Sequence, residues 1–445
     1  MADQRAIKTV SERAVRTTVL LVVVLTAGAY LPSPLYPDYQ RLFGYDDLVM
    51  TLLFATFALV SGPALLLCGP AADVVGDRPV LRLSVLLAAA GSCCFLLADS
   101  PGWLFTGRVG HALALGAATG AAQALIARHS SPTARVAGPL LAGLAFAAGT
   151  ALGPVVSGVL AEYVPGPLTT PYVLHLALLG WVWHRLRRTV PAPTATGGTR
   201  VRSRWRPTRP HIPPALRGLF LVAGLSGFLA WAVVGIYLAL LPALLEQTPH
   251  GAHPALVGGV LGSVLVWSLL AQLASARRTA YAAQRYGLAA LAGSLVLLAA
   301  TGAASLPATL GSTVLAGVGH GLAYSGAARA VDARTPAGQR AGIGAALYLL
   351  FYWGSGVPAV AVGALTTWMP LTAAVTWLSW AGVALTALAL TVTSRPLRHR
   401  APPAAGCPRT RRRAKERQGD EGAREPHPSG AQGGPREAQH EGTPC

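Results

Sequence analysis

The chain has 445 residues, 52% of them hydrophobic and only 12% charged. Soluble domains carry about twice that charged share, and the apolar residues here fall in blocks of roughly 20, the length that crosses a bilayer core, so a soluble globular domain is excluded. The net charge of +19 is spread over many short loops and two longer segments, which speaks against a nucleic-acid-binding surface.

Residues 1–16 are polar, with Arg5, Lys8, Arg13 and Arg16 ahead of the first apolar run. A basic start before an apolar stretch also describes a cleaved signal peptide. The run continues through Tyr30 and Leu31, however, and many similar spans follow, so it reads as an uncleaved span. Apolar blocks predict twelve membrane helices over 17–37, 48–69, 79–98, 102–126, 136–161, 171–187, 217–244, 254–274, 286–305, 307–328, 340–366 and 369–393. The segment 188–216 is rich in Pro and Thr and carries Arg200, Arg202, Arg204, Arg206 and Arg209 without an acid. It reads as a basic linker, at a surface where each Arg adds about 1 kcal/mol of attraction to anionic lipid. The tail 395–445 is rich in Pro, Gly, Arg and Glu, has no apolar periodicity and reads as disordered. The expected organisation is an N-terminal segment 1–16, six helices over 17–187, the linker 188–216, six helices over 217–394 and the tail 395–445.

Basic residues test the topology. With the N-terminus in the cytoplasm, 34 of the 36 Lys and Arg fall on the cytoplasmic side or at its edge. Arg41 is the one in an outside loop and Arg108 lies within a span. One spurious or missed helix would invert every later loop and destroy this bias. The expectation is a multi-pass protein of a cell membrane with both termini cytoplasmic. The preference for Arg over Lys fits a GC-rich, bacterial genome. Trp103 and Trp368 near outside ends, and Trp181 and Trp183 near an inside end, read as interfacial anchors. Cys68, Cys93 and Cys94 sit in apolar runs, Cys407 and Cys445 in the tail, with no metal-ligand spacing, so no metal and no cofactor are expected.

The chain repeats itself. Val109-Gly-His111-Ala-Leu-Ala114 in the fourth span matches Val318-Gly-His320-Gly-Leu-Ala323 in the tenth, 209 residues later. Tyr30-Leu31 and Tyr237-Leu238 in the first and seventh spans are 207 apart. Fourth and tenth, first and seventh are equivalent places if two six-helix halves are related.

Between the second and third spans lies Gly69-Pro-Ala-Ala-Asp73-Val-Val-Gly76-Asp-Arg78. Gly69 lacks a Cβ and lets another backbone approach. Asp73, four residues on, shares its helical face, and a carboxylate at a bilayer edge needs a partner. Gly76 is free to take positive φ, and Arg78 sits at the surface. This pattern resembles the loop between the second and third helices of the major facilitator superfamily. The resemblance spans about 17–393 and implies an all-α fold of two pseudo-symmetric six-helix bundles around a central cavity. Arg108-x-x-His111-Ala-x-x-x-Gly116 resembles the superfamily's fourth-helix motif, with His111 where a Gln is usual. Gly149-x-x-x-Gly153-Pro154-x-x-Ser157-Gly158 is similar to the antiporter motif of its drug/proton exporters, Ser157 departing from Gly.

A guanidinium deep in a span costs about 2.5–3.5 kcal/mol on insertion scales, which marks Arg108 as a functional candidate. By resemblance it takes part in proton coupling. The acids Asp73, Asp77, Asp99, Glu162, Glu246 and Asp332 all sit at span ends, which leaves His111, His175 and His320 as the titratable groups at depth besides Cys and Tyr. His111 or His320, beside Arg108 in the cavity, is expected to sense or carry the proton; the alternative is a pair of histidines hydrogen-bonded between helices. Tyr30, Gln123, Trp231, Tyr237 and Tyr324 are the candidate substrate contacts. The partner of Asp73 is expected on a helix end of the other half near Arg340, and Asp77 stands where the family has a base.

The reading is a proton-coupled exporter of a small hydrophobic or amphipathic compound. Its partners are a small-molecule substrate, protons and membrane lipid, with no nucleic acid, and it acts as a monomer. An importer of a small metabolite and a non-transporting receptor or scaffold are the alternatives. A membrane enzyme would need a His/Asp/Glu cluster at one face, and ATP drive a Gly-x-x-x-x-Gly-Lys-Ser/Thr loop; the sequence has neither.

Overall fold

In lipid every backbone polar group must be satisfied within the segment, and for single apolar runs of this length only the helix does so. The computed structural model describes residues 2–129, 138–190, 211–248 and 253–394, and every long element in them is a helix. Twelve long helices follow in order: α1 Ala2–Tyr30, α2 Asp47–Cys68, α3 Asp77–Leu96, α4 Pro101–His129, α5 Gly138–Tyr163, α6 Thr170–Thr189, α7 Pro214–Glu246, α8 Pro254–Ser275, α9 Ala280–Thr301, α10 Leu306–Asp332, α11 Arg340–Leu365 and α12 Leu371–Ser394. Ten are apolar enough over their length to cross a membrane, α6 and α10 being the exceptions. α6 carries His175, His184 and three arginines, and α10 is rich in Gly, Ala, Ser and Thr.

Several boundaries differ from the apolar blocks; the first helix ends at Tyr30 and not at 37, giving way to a 3-10 turn over Ser33–Leu35 and a short helix over Tyr36–Phe43. α1 runs back to Ala2, so the helix continues through the polar start. α9 begins at Ala280, a turn and a half before the predicted start, because the Thr279 hydroxyl accepts the Ala282 N–H at 3.2 Å and caps it. Its exposed Arg285 rides on the first turns. Most of the linker and all of the tail lie outside the described residues.

The packing repeats in the two halves. α1 packs on α5 and α4, α3 on α4 and α6, and α2 on α4; in the same way α7 packs on α11 and α10, α9 on α10 and α12, and α8 on α10. The halves are joined reciprocally, α5 against α8 and α2 against α11.

The α5–α8 crossing has a sequence cause. A Cβ on Gly158 would stand 2.3 Å from the Pro254 carbonyl oxygen, and one on Gly258 would stand 2.3 Å from that of Pro154. Only paired glycines let the two backbones meet there. Gly149 and Gly153 face the other way, against Val23, Thr26 and Ala27 of α1. The antiporter-like stretch thus packs α5 on its own half through Gly149 and Gly153, and on the other half through Pro154 and Gly158. In α11, Gly354 abuts Phe228 of α7 while Gly356 and Gly363 face α2.

Candidate functional site

Arg108 is the only charged side chain that is fully buried among the described residues. Its Nη1 donates to the Ala29 carbonyl at 2.5 Å and its Nε to the Leu53 carbonyl at 3.2 Å. Ala29 belongs to the last turn of α1, which stops at Tyr30 before Pro32. Such carbonyls lack intrahelical partners and carry the negative end of the helix dipole, so a cation is favoured there. The guanidinium also faces the rings of Phe57, Tyr36 and Phe54, at 5.0, 5.8 and 6.0 Å. It clamps α4 to the end of α1 and to the second turn of α2.

One turn along, His111 enters a second network. His111 Nε2 lies 3.0 Å from Ser92 Oγ, which is 2.7 Å from His175 Nδ1; His175 Nε2 is 3.1 Å from the Val24 carbonyl. A carbonyl only accepts, so His175 carries its proton on Nε2 and Nδ1 accepts from the Ser92 hydroxyl. Ser92 in turn accepts the His111 Nε2–H. The chain has one direction and ties α1, α3, α4 and α6. Gly28 makes room for it, since a Cβ there would be 2.0 Å from the His175 ring. Phe95 closes it, stacked on His111 at 5.7 Å and on Tyr172 at 5.0 Å.

The cavity lies elsewhere, between the halves, with about 960 Å³ of empty space counted to its open side. Gln123, Trp231, Tyr324 and His320 are in its wall. Neither Arg108 nor His111 is, so the expectation that groups Arg108, His111 and His320 in one central cavity is corrected: α1 and α2 cover Arg108, and α3 and α6 cover His111. Tyr30 and Tyr237 also lie outside the wall. Tyr30 packs edge-on against Phe57 at 5.5 Å, and the Tyr237 hydroxyl donates to Ser312 Oγ at 2.7 Å. The wall adds Phe146, Gln272, Tyr348, Phe351 and Tyr352. The last three recur at i, i+3 and i+4 on α11, an aromatic stripe that helical periodicity alone would have picked out. No Asp, Glu, Lys or Arg lines the cavity among the described residues.

In the wall, His320 Nδ1 is 2.7 Å from Ser268 Oγ, and the Gln272 amide donates to the same oxygen at 3.2 Å. Trp231 meets the His320 ring edge-to-face at 4.6 Å, and Tyr324 stacks on it at 5.5 Å. The Tyr324 hydroxyl donates to that of Tyr348 at 3.1 Å. Trp231 Nε1 and His320 Nε2 are buried without a hydrogen-bond partner among the described residues. Each such group costs about 1–3 kcal/mol.

At the end of the bundle that carries Gly69–Arg78, Gly69 faces Gly120 of α4, whose Cβ would lie 3.4 Å from the Gly69 Cα. Gly76 takes φ +90°, open only to glycine at low cost, and turns the chain into α3. Asp77 pairs with Arg128 at the end of α4, and Arg78 donates to the Arg187 carbonyl at 2.9 Å. The second half repeats the first contact without an acid: Arg334 donates to the Tyr281 hydroxyl at 2.6 Å. Arg340 bonds within its own half, to Asp332 at 3.6 Å and the Thr335 carbonyl at 3.4 Å. The pairing expected of the Asp73 carboxylate lies outside the described residues. At the opposite end the halves are tied by charge. Arg41 pairs with both Asp38 and Glu246, and the Glu162 carboxylate accepts the Ala255 N–H at 2.8 Å beside His253 at 3.5 Å.

Twelve long helices in two matching halves among the described residues, joined by small-residue crossings beside a central cavity, define a polytopic membrane carrier. Residues 18–357 match the family model of the Major Facilitator Superfamily, and the chain belongs to that superfamily. Solved structures share its fold. One is a bacterial homolog of the human lysosomal transporter Spinster in an inward-facing, unoccupied conformation, with a TM-score of 0.67 at 15% identity over 86% of this chain and 96% of that one. Another is a POT family transporter in complex with 5-aminolevulinic acid, with a TM-score of 0.67 at 13% identity over 86% of this chain and 96% of the other. The comparison with curated protein sequences found no match.

Proposed function

We propose that the chain exports a small hydrophobic or amphipathic compound in exchange for protons, by alternating access of the central cavity. The observation that carries this reading is the cavity itself. Both halves line it, its wall is aromatic and without charge among the described residues, and the end beyond it is closed by Gly158 on Gly258 and by the Arg41–Glu246 and Glu162–Ala255 contacts. Rocking of the halves about the α5–α8 and α2–α11 crossings would break those contacts and expose the cavity to the other side. The antiporter-like face of α5 forms one of the two crossings and supports export as the direction.

His320 is the histidine in the wall and is the proposed proton carrier. A proton arriving on Nδ1 would face Ser268 Oγ and turn its hydroxyl away, so the charge state of the cavity is coupled to the α8–α10 contact. The protein works as a monomer in the plasma membrane of a bacterium, with the Gly69–Arg78 end in the cytoplasm.

The test is accumulation of a compound panel in inverted membrane vesicles with and without an imposed pH gradient. Gradient-dependent accumulation is expected. Accumulation that ignores the gradient, or that runs only on sodium, overturns the proton-exporter reading.

A further inference from the structure

We propose that Trp231 and His320 form a paired donor site that selects neutral aromatic compounds bearing a carbonyl acceptor. The inference rests on the transport reading for the cavity's role and goes beyond it in naming the solute's chemistry.

The Gln272 amide donates to Ser268 Oγ, and His320 Nδ1 is the acceptor this network offers the Ser268 hydroxyl. In the neutral tautomer that makes this bond, Nδ1 is unprotonated and Nε2 carries the hydrogen. The indole Nε1 of Trp231 is a donor in any state. The two rings meet edge-to-face at 4.6 Å, and both N–H groups are buried without a hydrogen-bond partner among the described residues. These are two closed-off, unpaired donors on touching rings beside the cavity, and a carbonyl oxygen, with two lone pairs, is the acceptor that would satisfy both once the wall opens to admit it.

The rest of the wall sets the remaining chemistry. Tyr324 stacked on His320, with Tyr348 and Phe351 around it, offers ring faces and edges to a flat aromatic body. A fixed charge on the solute would enter without a counter-ion, since no charged side chain lines the cavity among the described residues. An aryl ketone meets these conditions. An ammonium compound would place its own donors against donors, and a carboxylate would bring a charge that nothing in the wall neutralises while His320 is neutral.

The probes are matched in shape. 2-Acetylnaphthalene carries the carbonyl and 2-ethylnaphthalene lacks it, while 2-naphthoate and 2-naphthylmethylammonium carry opposite charges. Equilibrium dialysis against nanodiscs with and without the protein gives saturable binding free of lipid partition. The ketone is expected to bind about tenfold more tightly than its ethyl analogue, the range of one or two hydrogen bonds released from an unpaired state. Trp231→Phe keeps the ring and removes the N–H. It is expected to reduce the ketone preference several-fold while leaving 2-ethylnaphthalene affinity within about twofold, and His320→Leu should lower the same preference.

Equal affinity for ketone and hydrocarbon overturns the proposal, as does a preference that survives both variants. Tighter binding of either charged probe, or no saturable binding of the ketone, also overturns it. Gradient-driven flux in vesicles is scored separately. Retained flux with no ketone preference sinks the donor pair alone, and a ketone preference without gradient-driven flux sinks the exporter reading alone.

Discussion

His111 and His320 occupy equivalent places in the repeat, yet the first is locked into a helix bundle and the second forms part of the cavity wall. The two hexapeptides around them differ at one position, Ala112 against Gly321. A Cβ on Gly321 would lie 2.2 Å from the Ser268 carbonyl oxygen, so the glycine is what admits α8 and brings Ser268 to His320. In the first half the room is on the other side. Gly91 of α3 leaves the space that the His111 ring fills, a Cβ there falling 2.8 Å from its Cδ2. In the second half Leu291 of α9 fills that side, 2.8 Å from where a Cβ on Gly319 would stand. A single methyl and the placement of two glycines thus direct one histidine into the helix bundle and the other to the cavity wall.

The comparison is broken most severely at Gly28. Gly28→Leu drives a side chain into the His175 ring, and overpacking of this kind costs about 1–3 kcal/mol before the Ser92 and Val24 hydrogen bonds are lost. Thermal unfolding in detergent should show a drop of many degrees and a poor yield of folded protein. Wild-type stability in this variant would mean that the sealed network holds nothing together.

Gly321→Ala is the next largest and the most direct. The added methyl must push α8 from α10, breaking the Ser268–His320 bond, so transport per folded molecule should fall about tenfold, the equivalent of one lost buried hydrogen bond. Unchanged flux would show that the glycine does not set the α8–α10 spacing. The two histidines then separate by readout. His111→Leu leaves Ser92 with one partner fewer and should cost about 1–3 kcal/mol of stability with flux per folded protein retained. His320→Leu should cost a similar amount of stability, since Ser268 also loses a partner, but should abolish gradient-driven flux. If flux per folded protein fell in both variants, or in neither, the proposed division between the halves would be wrong.

The smallest effect is expected at the Arg128–Asp77 pair, whose Arg side chain is 52% exposed. Arg128→Gln should cost about 0.2–1 kcal/mol and leave the cavity's ligand preference untouched, as exposed ion pairs do. A large loss of flux would promote this contact, and its acid-free twin at Arg334 and Tyr281, from a brace to part of the moving machinery.

The fold was legible because lipid restricts the chain so severely. Span length, the one-sided arginines and the repeat register fix twelve helices in two related halves without any contact information. The candidate site was legible only in part. Trp231, Tyr324, Gln123 and His320 are in the cavity wall, but Tyr30 and Tyr237, chosen by the same reasoning, turn instead to Phe57 and Ser312. A membrane helix is apolar on every face, so its pattern does not say which face meets lipid, a neighbour or a cavity. The aromatic stripe Tyr348, Phe351 and Tyr352 was visible as spacing, but its target was not.

The sequence by itself determined the membrane class, the helix count, the repeat and the family loop at Gly69–Arg78, because each depends on local composition or on spacing along one chain. It also marked Arg108 as costly, since charge in a span is expensive wherever it points. Only the tertiary structure decided that Arg108 would be held by the Ala29 and Leu53 carbonyls, outside the cavity wall, and that His320 alone of the three deep histidines would join that wall. Those outcomes depend on where glycines on different helices, far apart in sequence, let two backbones touch, and that is a property of pairs of helices that no single helix carries.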